Sequence, residues 1–476
     1  MNAESAYLFR HALLRDAAYQ LQLPGDRARL HGLAFALIED LCGGRPPEPP
    51  PLDAPEPGPF AHATDPFALE LAGHARHALR DGTRHVPAAT LPLYLRRAAE
   101  VADRAFLPWG EECWVELAGL SRGGIRAAAL RKAGNAAIVR GRTRVAEGHL
   151  EPALSLAREV GDRRGEGNAL GALATVYRET GRVEQAGRAY EQAIAIYREV
   201  GDRRGEGSTL GNLAIVYQET SRLEPAEHVY EQAIAIHREA GNRRGEGHAL
   251  GNLASIYQET GRMEQAERAY EQAITIHRET CNRRGEGQAL GGLAVVYQMT
   301  GRMELAQRRY EQAIAIHRNI GNRRDEGIAL GNLANANQET GCVEQAEQGY
   351  EQSLAIHREV SNRRFEGIAL AYLATVYRDT GRVDQSQRAY EQAIAILREV
   401  GDRRSEGRQE CSFARLLQTL GRTADARARW SRGARILREV KDEAELRRKT
   451  EAMRADCAEA GVPEISEEPL PGGGSA

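Results

Sequence analysis

The chain has 476 residues, 42% hydrophobic but only 5% aromatic, with 49 Gly against 7 Phe and 3 Trp, so its core must be assembled mainly from Ala, Leu, Ile and Val. That composition favours helices packed closely through small side chains. Basic and acidic residues nearly cancel, 64 against 67 for a net charge of −3, which argues against a general polyanion binder and against a basic membrane-surface protein.

The first region, residues 1–42, shows helical periodicity from Ala6 to Leu21, a break at Pro24-Gly25, and a second helical segment from Arg27 to Cys42. Residues 43–66 read as a Pro-rich linker, polyproline-type or disordered, because nine of the 21 residues from Pro46 to Pro66 are proline. Helices resume across 67–120, from Phe67 to Arg80 and from Leu91 to Phe106. Trp109 and Trp114 follow and are expected to be buried where this region meets the next. His74 and His77, an i, i+3 pair without an evident carboxylate partner, read as structural.

From Gly161 a 40-residue unit returns at Gly201, Gly241, Cys281, Gly321 and Ser361 without insertion. Six clear copies therefore occupy 161–400, flanked by degenerate copies at 121–160 and 401–440. Within a copy, Leu170, Leu173, Ala174 and Tyr177 recur at helical spacing, Gly181-Arg182 interrupts, and Ala186, Tyr190, Ala193, Ile194 and Tyr197 resume the pattern. The spacing predicts an A helix from about Arg163 to Glu179, capped by Asp162 and, in later copies, by Asn242, Asn282, Asn322 and Asn362. Gly181 suits the left-handed position that ends a helix, and Pro225 falls in the first turn of a B helix. Tyr177 and Tyr190 are expected to fill the space between layers. Neither helix can bury its apolar face alone, so the units must stack into an α-solenoid. Residues 441–460 read as a polar capping helix, and 461–476, ending in Pro-Gly-Gly-Gly-Ser-Ala, as a disordered tail.

The order Leu170, Leu173-Ala174, Tyr177, Gly181, Ala186, Tyr190, Ala193 resembles the tetratricopeptide repeat (TPR) signature, in the 40-residue form also seen in kinesin light chains, cell-polarity adaptors and bacterial regulators. The resemblance implies an all-α fold, a right-handed TPR superhelix over 121–440 preceded by an N-terminal helical region, with the A helices lining its concave face. Because TPR proteins are defined by scaffolding rather than by one reaction, it says less about function. A second resemblance covers the N-terminal region. Tyr7-Leu-Phe-Arg-His-Ala-Leu-Leu-Arg-Asp-Ala-Ala-Tyr19, Arg29-Leu30-His31 and Tyr94-Leu95-Arg96-Arg97-Ala98-Ala99 are similar to the helices that follow the nucleotide-binding domain in bacterial STAND-type signalling ATPases. Walker motifs are missing here, so nucleotide hydrolysis does not carry over. The chain reads as the back half of such a regulator, either a truncated product or a free-standing arm.

On each A helix one stripe is not needed for the core: Arg164, Asn168, Gly171, Thr175 and Arg178, and their counterparts in other copies. The framework repeats while the stripe varies, as in a recognition surface or in solvent-exposed drift. Asn212, Asn252 and Asn332 sit where similar TPR proteins hold a bound peptide's backbone, although Ala172, Gly292 and Tyr372 interrupt the series. Gly171, Gly211, Gly251, Gly291 and Gly331 each cost the helix about 1 kcal/mol relative to Ala, which points to close approach of a ligand or of a neighbouring helix. The Arg-Arg pairs, Arg163-Arg164 to Arg403-Arg404, offer a positive ladder for an acidic peptide or for phosphate, or merely pair with the Glu that follows each of them. His237, His277, His317 and His357 lie near the ends of B helices, where a cation is favoured.

The candidate contacts in a peptide-binding groove are Arg204, Asn212, Arg244, Asn252, Asn332, Asn335 and Arg364. No catalytic residues, metal ligands or cofactor are indicated. Gly-Asp-Arg-Arg-Gly-Glu-Gly lacks the Walker pattern, no nucleophile and base pair is evident, and the six Cys show no CxxC spacing. Reduced thiols suit a cytoplasmic protein, and no apolar run approaches the roughly 20 residues of a membrane span. The reading is a non-enzymatic scaffold that binds a peptide segment of a partner protein, an acidic partner being one option, with no nucleic acid and no membrane. The alternative is the sensor arm of a STAND-type ATPase or transcription regulator.

Overall fold

The computed structural model describes residues 23–52, 61–80, 86–105 and 107–462, so the helix expected over Ala6–Leu21 and nearly all of the 461–476 tail lie outside the described residues. All regular structure among the described residues is helical. The chain divides into two compact units, Met1–Asn242 and Arg243–Ala476.

The first unit opens with α1 (Pro24–Leu41), a 3₁₀ turn (Asp65–Phe67), α2 (Ala68–Arg80), α3 (Thr90–Ala105) and α4 (Gly110–Leu120). Helix α1 begins at Pro24 itself rather than after it, because proline at the first helical position lacks only an amide that would have no partner there. Phe35, Leu71, Tyr94, Leu95 and Trp114 form a core with buried alanines, and Ala129 and Ala133 of the first repeat belong to the same cluster. Trp114 is thus buried at the junction, as expected, with its Nε1 donating to Asp103 at 2.9 Å. The described parts of the Pro-rich stretch lie against this core. Leu52 packs on it, Arg45 donates to Thr90 at 3.3 Å, and Asp65 accepts from the buried Arg97 at 2.8 Å. His74 lies 3.8 Å from Glu70, a carboxylate neighbour, and shares a 2.7 Å hydrogen bond with His31, whose ring stacks on His77.

Repeats complete this unit as α5 (Gly123–Val139), α6 (Thr143–Glu159), α7 (Arg163–Glu179), α8 (Val183–Glu199), α9 (Arg203–Glu219) and α10 (Leu223–Glu239). The second unit contains α11 (Arg243–Glu259), α12 (Met263–Glu279), α13 (Arg283–Met299), α14 (Met303–Asn319), α15 (Arg323–Glu339), α16 (Val343–Glu359), α17 (Arg363–Asp379), α18 (Val383–Glu399), α19 (Arg403–Thr419), α20 (Thr423–Glu439) and the capping helix α21 (Glu443–Ala460). From α5 to α19 odd numbers are A helices and even numbers their B partners. Within each unit every A helix touches the next A helix, whereas successive B helices make no comparable approach among the described residues. The A-helix side is therefore the inner arc of each unit.

Local signals explain the boundaries. Asp162 and Asp202 accept hydrogen bonds from the amides of Gly165 and Gly205 at 2.8 and 2.9 Å, and Asn282 and Asn322 do the same more weakly at 3.2 and 3.4 Å. Asn362 departs from the expected cap: it makes no such bond, and its amide lies 3.5 Å from His357 Nδ1. Gly181 ends α7 in the left-handed region at φ +75°. The same geometry is imposed on Ser221, Cys281, Ser361 and Lys441, with φ of 59°, 52°, 54° and 57°, because the turn's hydrogen bonds require it whatever the residue.

One expectation about packing holds and one is corrected. Tyr190, Tyr230, Tyr310, Tyr350 and Tyr390 on the B helices fill the interior, and Tyr177 packs, half-buried, against the cluster of Ala137, Ala146, Leu150 and Leu173 that joins two copies, with the Arg182 guanidinium 4.5 Å from its ring centre. Tyr217, Tyr297 and Tyr377 meet Arg222, Arg302 and Arg382 in the same way. The histidine series does not serve as helix-terminal cations. His237, His277, His317 and His357 are 1–3% exposed, and each ring lies against a glycine of its A helix. A Cβ at Gly207, Gly247, Gly287 or Gly327 would fall within 2.7–2.8 Å of the facing ring. Burial, with His248 and Arg244 adding to it, holds the His277 pKa down at about 4, and burial with Arg324 does the same to His357. The imidazoles of His277 and His357 are therefore neutral near pH 7, and burial lowers the His317 pKa as well.

Candidate functional site

The two arginines that open each A helix differ in role. The first reaches across the helix ends. In α15, Glu326 is 1% exposed and accepts from Arg318 of the preceding B helix at 2.9 Å and from Arg323 at 2.6 Å, while Arg323 also donates to Glu359 at 2.8 Å. Glu166, Glu206, Glu366 and Glu406 are clamped in the same way. Burial would raise the Glu166 pKa, yet Arg158 and Arg163 together hold it below the ordinary carboxylate value. A buried carboxylate needs such partners, and the first arginine of each pair supplies one of them.

The second arginine points along the stripe toward the cap of the next A helix. Arg164 donates to Asp202 at 2.8 Å, Arg364 to Asp402 at 2.7 Å and Arg404 to Asp442 at 2.6 Å. Where the next cap is an amide, that carboxylate is missing. Arg204, opposite Asn242 in the first unit, and Arg244 and Arg324 in the second are exposed and make no ion pair among the described residues. Arg284 lies 3.8 Å from Asp325, which itself accepts from Asn322 at 2.8 Å and Gln288 at 3.0 Å.

The lower stripe is largely committed to holding the fold. Thr175 and Thr375 meet the hydroxyls of Tyr190 and Tyr390 at 2.9 and 3.1 Å. Asn335 donates to Glu339 at 3.1 Å and faces the Tyr350 hydroxyl at 3.5 Å. Arg178 donates to Glu219 and Gln298 to Glu339 of the following A helix, at 2.7 and 2.8 Å. Asn212 is exposed, Asn252 and Asn332 are half-buried, and none of the three makes a side-chain bond among the described residues. Arg204 and Asn212 share α9, Arg244 and Asn252 share α11, and each pair is eight residues or about 12 Å apart along its helix. Asn332 and Asn335 lie one turn apart on α15, and Arg364 stands on α17, already bonded to Asp402.

At the interruptions of the asparagine series, Gly292 makes room for Tyr270, which a Cβ would approach to 2.4 Å, and Tyr372 stacks flat on Tyr350 with centres 5.2 Å apart while remaining 41% exposed. Gly171, Gly211, Gly251 and Gly291 face open space: a Cβ on any of them meets nothing within 4 Å, and only Gly331 has a neighbour, Ser353 Oγ at 3.2 Å. Close approach of another helix therefore does not account for the first four. Sequence reasoning did not single out Arg284 and Arg324 within the arginine ladder, and took Tyr372 only as an interruption. The available signal was the Asp or Asn alternation at the caps, whose meaning depends on an arginine 38 residues earlier.

Among the described residues, no group of three or more His, Cys, Asp or Glu is placed to hold a metal, and no helix is long and apolar enough to cross a membrane. A cavity of about 740 Å³ lies elsewhere, against the Pro-rich stretch, lined by Leu52, Leu93, Leu117, Ile125, Arg45 and Arg96 among others.

The family model for the tetratricopeptide repeat matches residues 125–199, 166–239, 246–319 and 325–399, together more than half of the chain. No curated protein matches the sequence. Among solved structures, the apo form of the quorum sensor NprR from B. thuringiensis is similar in fold, at 15% identity and a TM-score of 0.51 over 70% of this chain and 97% of that one. The STAND protein with a tetratricopeptide repeat sensor, PH0952 from Pyrococcus horikoshii, is similar at 16% identity and a TM-score of 0.50, covering 82% of this chain and 66% of that one. BtubC (BKLC) from P. vanneervenii matches at 22% identity and a TM-score of 0.39 over 48% of this chain and 92% of that one. With the A and B helices, their left-handed turns and the buried B-helix tyrosines in place, the chain belongs to the tetratricopeptide repeat family.

Proposed function

We propose that the chain is a non-catalytic scaffold that holds a peptide segment of a partner protein along its A-helix face. The observation that carries this reading is the set of glycines with no packing reason. Gly171, Gly211, Gly251 and Gly291 each weaken a helix interior by about 1 kcal/mol, yet a Cβ on any of them would meet nothing within 4 Å among the described residues. A bare helix surface of this kind lets another backbone come close. Asn212 and Asn252 stand beside Gly211 and Gly251, and Asn332 beside Gly331, with amide groups not bonded to other described residues, able to donate and accept at once. Hydrogen exchange on the chain with a co-purified partner tests the reading. Protection is expected on the stripe of the A helices and not on the outer B-helix surfaces, with affinity falling about tenfold when Asn212, Asn252 and Asn332 are all changed to Ala. Undiminished affinity of that variant would remove the assignment.

A second reading, the sensor arm of a signalling ATPase, is supported by the fold likeness to PH0952, which extends over 82% of the chain and so beyond the matched repeats. It requires that a co-purifying ATPase change its hydrolysis rate when this chain is added. An unchanged rate counts against it.

A further inference from the structure

We infer that Arg244, Arg284 and Arg324 of the second unit form a charge register for an acidic peptide segment whose carboxylates recur about every third residue. This rests on the reading of the A-helix face as a peptide-binding surface and names the partner's chemistry. The stripe arginine is present in each copy from 161 to 440, but at α17 and α19 it is neutralised by Asp402 and Asp442, at 2.7 and 2.6 Å. At α11, α13 and α15 the facing cap is Asn282, Asn322 or Asn362. Asn and Asp are both favoured at a helix cap, so either residue suits the position. Asn in place of Asp removes one negative charge opposite each arginine. Arg244 and Arg324 then carry no ion pair among the described residues, and the nearest carboxylate to Arg284 stands at 3.8 Å. The buried glutamates cannot compensate, because Glu326, for example, is already bonded to Arg318 and Arg323.

Spacing sets the register. Successive A helices touch, which places their axes about 8–10 Å apart, while an extended peptide advances about 3.3–3.6 Å per residue. Three residues therefore span one repeat. A peptide is favoured over single-stranded nucleic acid because the side chains one turn beyond the arginines are His248, Gln288 and Ile328, not a series of aromatic platforms for stacked bases.

The test uses the full chain and fluorescein-labelled peptides of about ten residues, read by polarisation at two salt concentrations. One peptide carries Glu at every third position among Ser, a second has the same residues with the Glu contiguous, and a third carries Lys in place of Glu. Oligouridylate of similar charge is the fourth probe. The spaced-Glu peptide is expected to bind most tightly and to weaken with salt. The double variant Asn282→Asp with Asn362→Asp leaves a residue able to cap at both positions and supplies internal carboxylates to Arg244 and Arg324, so its affinity should fall about tenfold. Asp402→Asn should raise affinity for a peptide extended by one more Glu, by releasing Arg364. Equal binding of the spaced-Glu peptide by wild type and double variant, no binding of it at all, or tighter binding of oligouridylate overturns the register. If it fails while a natural partner still protects the A-helix face, the peptide-binding reading stands and only the acidic preference falls.

Discussion

The two faces of an A helix put the same residue types to opposite uses. Toward its B helix, Gly247, Gly287 and Gly327 are required because His277, His317 and His357 occupy the space a methyl group would need. Four residues further on, Gly251 and Gly291 face nothing. Arginine divides in the same way: Arg323 is locked between the buried Glu326 and Glu359, whereas Arg324 beside it has no carboxylate among the described residues. Recurrence within one chain thus has two causes. One is a rigid neighbour that admits no alternative, and the other is a surface kept clear.

The strongest way to break this contrast is Gly327→Ala. The added Cβ would lie 2.8 Å from the His357 ring, so overpacking should lower stability by roughly 1–3 kcal/mol in denaturant titrations. An unchanged midpoint would show that the ring is free to move and that the two glycine classes are one. Next comes pH. His277 and His357 have folded pKa values of about 4 against an ordinary 6.5, so between these values the unfolded chain binds more protons. Their contribution is therefore complete above about pH 6.5 and is lost as pH falls toward 4. In His277→Leu with His357→Leu this part of the acid sensitivity should disappear, since Leu397 fills the same slot in another repeat; an identical midpoint-versus-pH curve would refute it. The smallest effect has the opposite sign. Gly251→Ala and Gly291→Ala should each stabilise the helix by about 0.5–1 kcal/mol while weakening partner binding, and a loss of stability would mean that these sites are packed after all.

Helix limits were legible to the residue in places. Arg163–Glu179 follows from Asp162 at one end and Gly181 at the other, because capping and left-handed turns depend on adjacent residues. What depends on distant residues was not. The position of His237 near a helix end suggested a cation, while its burial is set by Gly207, 30 residues earlier. Asn335 looked available because Tyr350, which reaches through from the B helix, is 15 residues away. The stripe could be drawn from periodicity, but which arginines it leaves uncompensated required the fold to set Arg364 opposite Asp402 and Arg244 without such a partner. In the N-terminal region there are no copies to compare, so the pairing of Asp65 with Arg97 had no sequence signal.

The clamp on each buried glutamate is built across the junction between copies. Arg278 holds Glu286, Arg318 holds Glu326, Arg358 holds Glu366 and Arg398 holds Glu406, at 2.8, 2.9, 3.1 and 2.8 Å. Every junction in this unit therefore presents the same two halves of this clamp. Excising residues 281–320 would bring Arg278 against Glu326 and restore the joint, so that chain is expected to keep a single cooperative melt. A gene encoding such an array can lengthen or shorten by whole units during recombination without disturbing its joints, which makes reach a quantity that inheritance can tune separately from stability.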